Sequence, residues 1–123
     1  MVQCAPHDID LLQTYDDYPV ISMMQIEDLG FCAKGEAPQF VRDNDLTIKG
    51  SFPHNTSGGQ LSAGQAGAAG GFIGLVEALR QVTAQAGSTQ VNNAHSAMVS
   101  GFGMINYDRG VCSSAAILST GAI

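Results

Sequence analysis

The sequence predicts a layered α/β or α+β domain. Three observations carry this: apolar runs of strand length near both ends, two stretches of helical periodicity between them, and enough apolar material to cover a sheet. Of 123 residues, 45% are apolar and 13% charged. That is the composition of a folded core rather than of a disordered chain, and the length suits one domain over 1–123. The predicted order is β, α, loop, α, β, β, with no internal repeat.

Asp8–Thr14 (DIDLLQT) reads as a short strand with Ile9 and the Leu11–Leu12 pair facing a core. Asp16 or Asp17 is placed to cap a helix whose first turn holds Pro19, where a missing N–H costs nothing. Val20, Ile21, Met23, Met24, Ile26 and Leu29 keep a helical period, and Gly30 ends it. The two methionines read as core. From Phe31 to Ser51 the chain is mixed, with a short strand at Leu46–Ile48. His54–Gly59 is a loop, and a second helix runs from about Ser62 to Ala86. Ala94–Val99 and Val111–Ser119 read as strands joined by the glycine-rich segment Ser100–Gly110.

The second helix divides into two faces. Ala63, Gly67, Gly70, Gly71, Gly74 and Ala78 share one sector, while Phe72, Leu75, Val76 and Leu79 lie opposite. Four glycines inside a helix cost about 3–4 kcal/mol relative to alanine. Close approach of another backbone is the expected compensation, so the bulky face is expected on the sheet and the small one against a second helix. No glycine-matched partner is found among these 123 residues, which predicts one on another chain or on a further part of the same protein.

Charge and punctuation exclude several classes. The net charge is −6, and the five basic residues are scattered singly, which argues against a nucleic-acid partner. No run reaches the roughly 18 apolar residues of a membrane span, and the N-terminus has no signal-peptide pattern. Three cysteines without a CxxC pair suit a reduced, cytoplasmic setting. A zinc site would have to draw on Cys4, Cys32, Cys112, His7, His54 and His95 at unrelated spacings, so no metal is expected.

The pattern Asn55-x-x-Gly58-Gly59-x-x-x-x-Gly64-Gln65, opening a Gly/Ala-rich helix, resembles the thiolase segment N-x-x-G-G-x-x-x-x-G-H-P. DIDLLQTYDDY resembles the strand and turn that end in N-E-A-F in thiolases. AMVSGFG resembles the strand and loop carrying C-x-G-G-G, and VCSSAAILS the last strand. YPVISMMQIEDLGFCAKGE is similar to the lipid-transfer or sterol-carrier-type branch. The likeness covers nearly the whole chain in the right order. It implies half of a thiolase fold: a layered βαβαββ unit with a mixed sheet and a buried Gly/Ala-rich central helix.

The resemblance further implies a C-terminal domain or small subunit of a thiolase-like acyl-CoA acyltransferase. An N-terminal half would carry the nucleophilic cysteine, a coenzyme A thioester would be the substrate, and no other cofactor is needed. The expected partners are acyl-CoA and that half, or a second copy, docked on the Gly67/Gly70/Gly71/Gly74 face. At the carried-over positions the N-E-A-F asparagine falls on Tyr15, the G-H-P histidine on Gln65 and the C-x-G-G-G cysteine on Ser100. Glutamine is no base near neutral pH and serine is a weaker nucleophile than a thiolate. Steroid side-chain aldolases, which are thiolase-like, use tyrosines at comparable places, so aldol chemistry is a second implication. A catalytically degenerate binding or scaffold module is the non-enzymatic alternative.

The candidate catalytic residues are therefore Tyr15, Gln65 and Ser100. Asn55, Gly58, Gly59, Gly103 and Tyr107 are the candidate substrate contacts. Each has a plain structural alternative. Gln65 completes a capping box with Ser62, Tyr15 packs at a strand rim, Asn55 satisfies local backbone, and Ser100–Gly103 forms a turn. Tyr107–Arg109 belong to a solvated loop or a lid. Cys112, set among apolar residues, reads as a buried core thiol, and His54 and His95 are candidate acid/base groups by proximity to the motifs, with an ordinary structural role as the plain alternative.

Overall fold

The computed structural model describes residues 4–107 and 109–121. Three strands, β1 (Leu11–Gln13), β2 (Ser96–Asn106) and β3 (Arg109–Ser119), form a mixed sheet in the order β1-β2-β3. Leu11, Leu12 and Gln13 pair in parallel with Ala97, Met98 and Val99. β3 runs antiparallel to β2 from Ser96↔Ser119 to Asn106↔Arg109. The helices are α1 (Pro19–Asp28), α2 (Ala37–Asp43), α3 (Gly59–Ala63) and α4 (Ile73–Val82).

Alternation along the strands sorts side chains between two faces. Leu11 and Ala97 face α4 and build the core with Ala78, Val82, Val91 and Ala94, flanked by Ile48, Val99 and Leu118. Thr14 and Ser100 face the other way and bond to α1. The Thr14 and Ser22 hydroxyls lie 2.6 Å apart, and Ser100 Oγ donates to Gln25 Oε1 at 2.6 Å. The sheet is thus held between α4 and α1, the layered arrangement expected of the sequence.

Several local expectations are corrected. The helix expected over Ser62–Ala86 is broken. It consists of α3, a 3-10 stretch over Gly67–Phe72, and α4. Gly64 and Gly67 take φ of +97° and +55°, left-handed values that no continuous α-helix accommodates. Because α3 begins at Gly59, Ser62 lies inside it and forms no capping box with Gln65. Asp16 does not cap α1, whose N-cap is Tyr18 without a side-chain bond. Its Oδ1 accepts instead from the Gln60 amide at 2.7 Å, at the start of α3. The glycine-rich segment after Val99 is strand rather than loop. Leu46–Ile48 is not a strand, and α2 was not foreseen.

The two faces of α4 are also exchanged relative to the expectation. A Cβ on Gly74 would lie 3.2 Å from Gln13 Cβ and 3.4 Å from Val99 Cγ1, and Ala78 is fully buried. Gly74 and Ala78 therefore meet the sheet, whereas Ala63, Gly67 and Gly71 are exposed. Phe72, Val76 and Leu79 remain 63%, 53% and 53% exposed. A three-stranded sheet with a tight helix above it leaves no room for bulk at Gly74. Met24, expected in the core, is exposed, and α1 buries Ser22, Gln25 and Ile26.

Candidate active-site cleft

β1 ends at Gln13, yet β2 continues to Asn106, and α4 starts only at Ile73. Beyond Val99 the α4 side of the hairpin is therefore uncovered. A cleft of about 500 Å³ occupies the gap. Tyr15 and Gln65 stand at one side, Ser100 and Phe102 at another, with Gly67, Gly71 and Gly74 forming a wall. The glycine tract thus has a second use: side chains at 67 and 71 would fill this space. Placement at the carboxyl end of a parallel strand agrees with where open α/β sheets bind ligands.

Tyr15 follows β1 by two residues. Gln65 Nε2 donates to its phenolic oxygen at 3.2 Å, so two residues fifty positions apart share one polar centre. Burial raises the phenol above its usual value; the Gln65 bond opposes this, and the carboxylate of Asp17 adds to it. The phenol is protonated at neutral pH, able to donate one proton while accepting from Gln65. Gln60 supports the opposite rim: its Nε2 donates to the Gly70 carbonyl at 3.2 Å and its Oε1 accepts from the Asp16 amide at 3.4 Å.

Of the residues singled out from sequence, Tyr15, Gln65, Ser100 and Gly103 line the cleft. Asn55, Gly58, Gly59 and Tyr107 are not among its lining residues. Asn55 Oδ1 accepts from the Thr14 amide at 2.8 Å and finishes the edge of β1. Gly58 is the left-handed N-cap of α3. Gly59 leaves room for the Asp16 carboxylate, which a Cβ would strike. Tyr107 sits at the hairpin turn, 90% exposed. Asp108 and the Arg109 side chain lie outside the described residues.

Two contributors, Cys112 and Gln25, were not read in their roles from sequence. Cys112 is exposed rather than core. It pairs with Gly103 and lines the cleft beside Ser114, on the face shared by even-numbered β3 residues down to Leu118. That parity was available in the sequence, but the Val111 and Ala115–Ile117 context obscured it. Gln25 is buried beneath Tyr15. His54, half-buried, lies 2.8 Å from Thr14 Oγ1 and 3.2 Å from Ser22 Oγ through Nε2. Desolvation lowers its pKa to about 4 against an opposing pull from Asp16. It is neutral at pH 7, held between the Thr14 and Ser22 hydroxyls. His95 is exposed. Among the described residues no three His, Cys, Asp or Glu side chains converge as metal ligands would. No described helix is long and apolar enough to cross a membrane.

A family model described as "Thiolase C-terminal domain-like" matches residues 1–120. A steroid side-chain-cleaving aldolase from Thermomonospora curvata is 43% identical over 77 residues, 63% of this chain and 19% of the relative. An acetyl-CoA acetyltransferase from Methanothermobacter thermautotrophicus is 34% identical over 84% of this chain and 27% of its own. A 17-hydroxy-3-oxo-4-pregnene-20-carboxyl-CoA lyase from Mycobacterium tuberculosis is 37% identical over 63% of this chain and 19% of its own. A solved structure, the Ltp2-ChsH2(DUF35) aldolase, superposes with a TM-score of 0.71 at 36% identity. It covers 79% of this chain and 24% of the solved one. The chain spans about a fifth to a quarter of the length of these proteins.

Proposed function

From the premise that the chain belongs to the thiolase C-terminal domain-like family, we propose that it is the C-terminal half of an enzyme making or breaking a carbon–carbon bond next to a coenzyme A thioester. A thiolase-type N-terminal half completes the site. The observation that carries this reading is the Tyr15–Gln65 pair at the rim of a glycine-walled cleft. In such chemistry a proton is exchanged at the thioester α-carbon while an oxyanion develops. Tyr15, protonated at neutral pH, gives that proton, and Gln65 steadies the phenol oxygen as its charge changes.

Claisen exchange needs a thiolate nucleophile and a second group cycling a proton. At the position that carries the second thiolase cysteine this chain has Ser100, whose hydroxyl is engaged with Gln25. Aldol cleavage asks less. A base removes the proton of a β-hydroxyl, the pair becomes a carbonyl, the α–β bond breaks, and an acid protonates the thioester enolate. The Tyr15 phenol with its supporting amide suits the acid of that sequence, the base that takes the hydroxyl proton falls to the N-terminal half, and two relatives of this chain are named aldolase and lyase. We therefore favour aldol-type cleavage over acyl transfer.

The docking face for the N-terminal half is the exposed one, Phe72, Val76 and Leu79, in place of the glycine face. Reduced thiols and the absence of a membrane-length helix among the described residues suit a cytoplasmic setting. The test is release of ketone or aldehyde from β-hydroxyacyl-CoA substrates by the chain co-purified with a thiolase-type N-terminal half. Tyr15→Phe should cut turnover by about 10²–10⁴-fold, and Gln65→Ala should also reduce it. A well-folded complex with no thioester-dependent activity would favour the scaffold alternative.

A further inference from the structure

The buried amide of Gln25 makes four hydrogen bonds. Its Oε1 accepts from the Tyr15 backbone N–H at 3.2 Å and from Ser100 Oγ at 2.6 Å. Its Nε2 donates to the Tyr15 carbonyl at 2.7 Å and to the Ile21 carbonyl at 3.0 Å. A primary amide offers two acceptor sites and two donors, so this one is saturated. Tyr15 also fixes which way round it lies. The backbone N–H demands an oxygen and the backbone carbonyl demands an N–H, so a flipped amide would oppose donor to donor and acceptor to acceptor. With Oε1 facing β2, Ser100 has to spend its proton on Gln25.

We propose that Gln25 is the positioning residue of the cleft: its side chain locks the Tyr15 backbone against α1 and β2. The inference rests on the reading of Tyr15 as the proton donor, and adds what holds it. A main chain gripped on both its N–H and C=O leaves only the Tyr15 side-chain torsions free, and Gln65 restrains those from the far side. Ser100, buried on the α1 side with its proton held by Gln25, is neither a nucleophile nor an oxyanion donor. The saturated, buried bonds make the clamp rigid, because any rotation of the amide strands at least two buried partners.

The test follows Tyr15 directly. Tyrosine carrying ¹³C at Cζ gives three resonances in the 123-residue chain, from Tyr15, Tyr18 and Tyr107, and Tyr15→Phe identifies the relevant one. In Gln25→Leu, folded by circular dichroism, that resonance should move toward the two exposed tyrosines, which themselves stay fixed. Ser100→Ala, which cuts one arm only, should leave it in place. Gln25→Glu supplies the arm that does not depend on Gln25→Leu folding. A protonated Glu keeps one acceptor and one donor, whereas a carboxylate opposes the Tyr15 carbonyl. The Tyr15 resonance of this variant should therefore be native-like in acid and displaced as the carboxyl ionises.

An unmoved Tyr15 signal in folded Gln25→Leu, or a pH-independent one in Gln25→Glu, overturns the proposal. In the complex with an N-terminal half, Gln25→Leu should lower turnover about 100-fold with little change in KM, the usual cost of misplacing a reacting group by about 1 Å. Displacement of Tyr15 without that loss would leave the clamp standing and remove Tyr15 from the proton-donor role.

Discussion

Replacing Val76 and Leu79 together by glutamate tests which side of α4 is free. Both side chains are 53% exposed, and Phe72 beside them 63%. In the isolated chain the double substitution should change unfolding free energy by no more than about 0.5 kcal/mol per site, the usual range for surface changes. Fully burying such a side chain is worth about 1.5–3 kcal/mol, so covering the exposed half of each contributes about 1 kcal/mol. Two of them lost from an interface cost about 2 kcal/mol. That is roughly 30-fold in affinity at 1.4 kcal/mol per tenfold, before the added cost of desolvating two carboxylates. Urea titration of the chain and sedimentation of its mixture with an N-terminal half give the two numbers. Ala78→Glu, one residue before Leu79 and fully buried, should unfold the chain. Gly71→Ala, whose Cβ meets nothing within 4 Å, should leave both properties intact. A loss of more than about 2 kcal/mol in the isolated double variant, or unimpaired association, would refute the assignment of faces.

Gln81 and His54 give two further expectations. Gln81 is fully buried; its Nε2 donates to the Thr89 carbonyl at 2.7 Å and to Glu77 Oε1 at 2.8 Å, and its Oε1 accepts from the Val91 N–H at 2.8 Å. Gln81→Leu orphans the Val91 and Thr89 groups at about 1–3 kcal/mol each. A shift in the urea midpoint worth under about 1 kcal/mol would contradict the network. For His54, the folded pKa of about 4 lies below the reference 6.5. As pH falls through that window the unfolded chain takes up a proton that the folded one refuses, so stability drops, by about 3 kcal/mol in all. His54→Asn should flatten the stability curve between pH 6.5 and 5; an unchanged slope would assign the loss to other groups.

How far the chain can be read without coordinates depends on whether a feature is local. Pro19 opening α1, Gly30 closing it, and the apolar Leu11–Leu12 pair all follow from backbone sterics and periodicity within a few residues, and all appear as expected. The ordered motifs that resemble thiolases pointed to Tyr15, Gln65 and Ser100, and those three line one cleft. Residue type and order therefore determined the layered fold and brought these three residues to one cleft.

Tertiary packing decided the remainder. Periodicity divides α4 into a small and a bulky face, but it cannot say which meets the sheet. The distance between Gly74 and the Gln13–Val99 pair settles that. The glycines suggested a helix surface pressed against another helix, whereas Gly64 and Gly67 break the helix and Gly67, Gly71 and Gly74 wall a cleft. Gln25 reads as an ordinary polar helix position, and becomes the buried clamp only because β1 and β2 bring Tyr15 and Ser100 to it across 10 and 75 residues. Such partners carry no local signal: a hydrogen bond between distant residues is chosen by how the layers pack, and the chain order does not encode it.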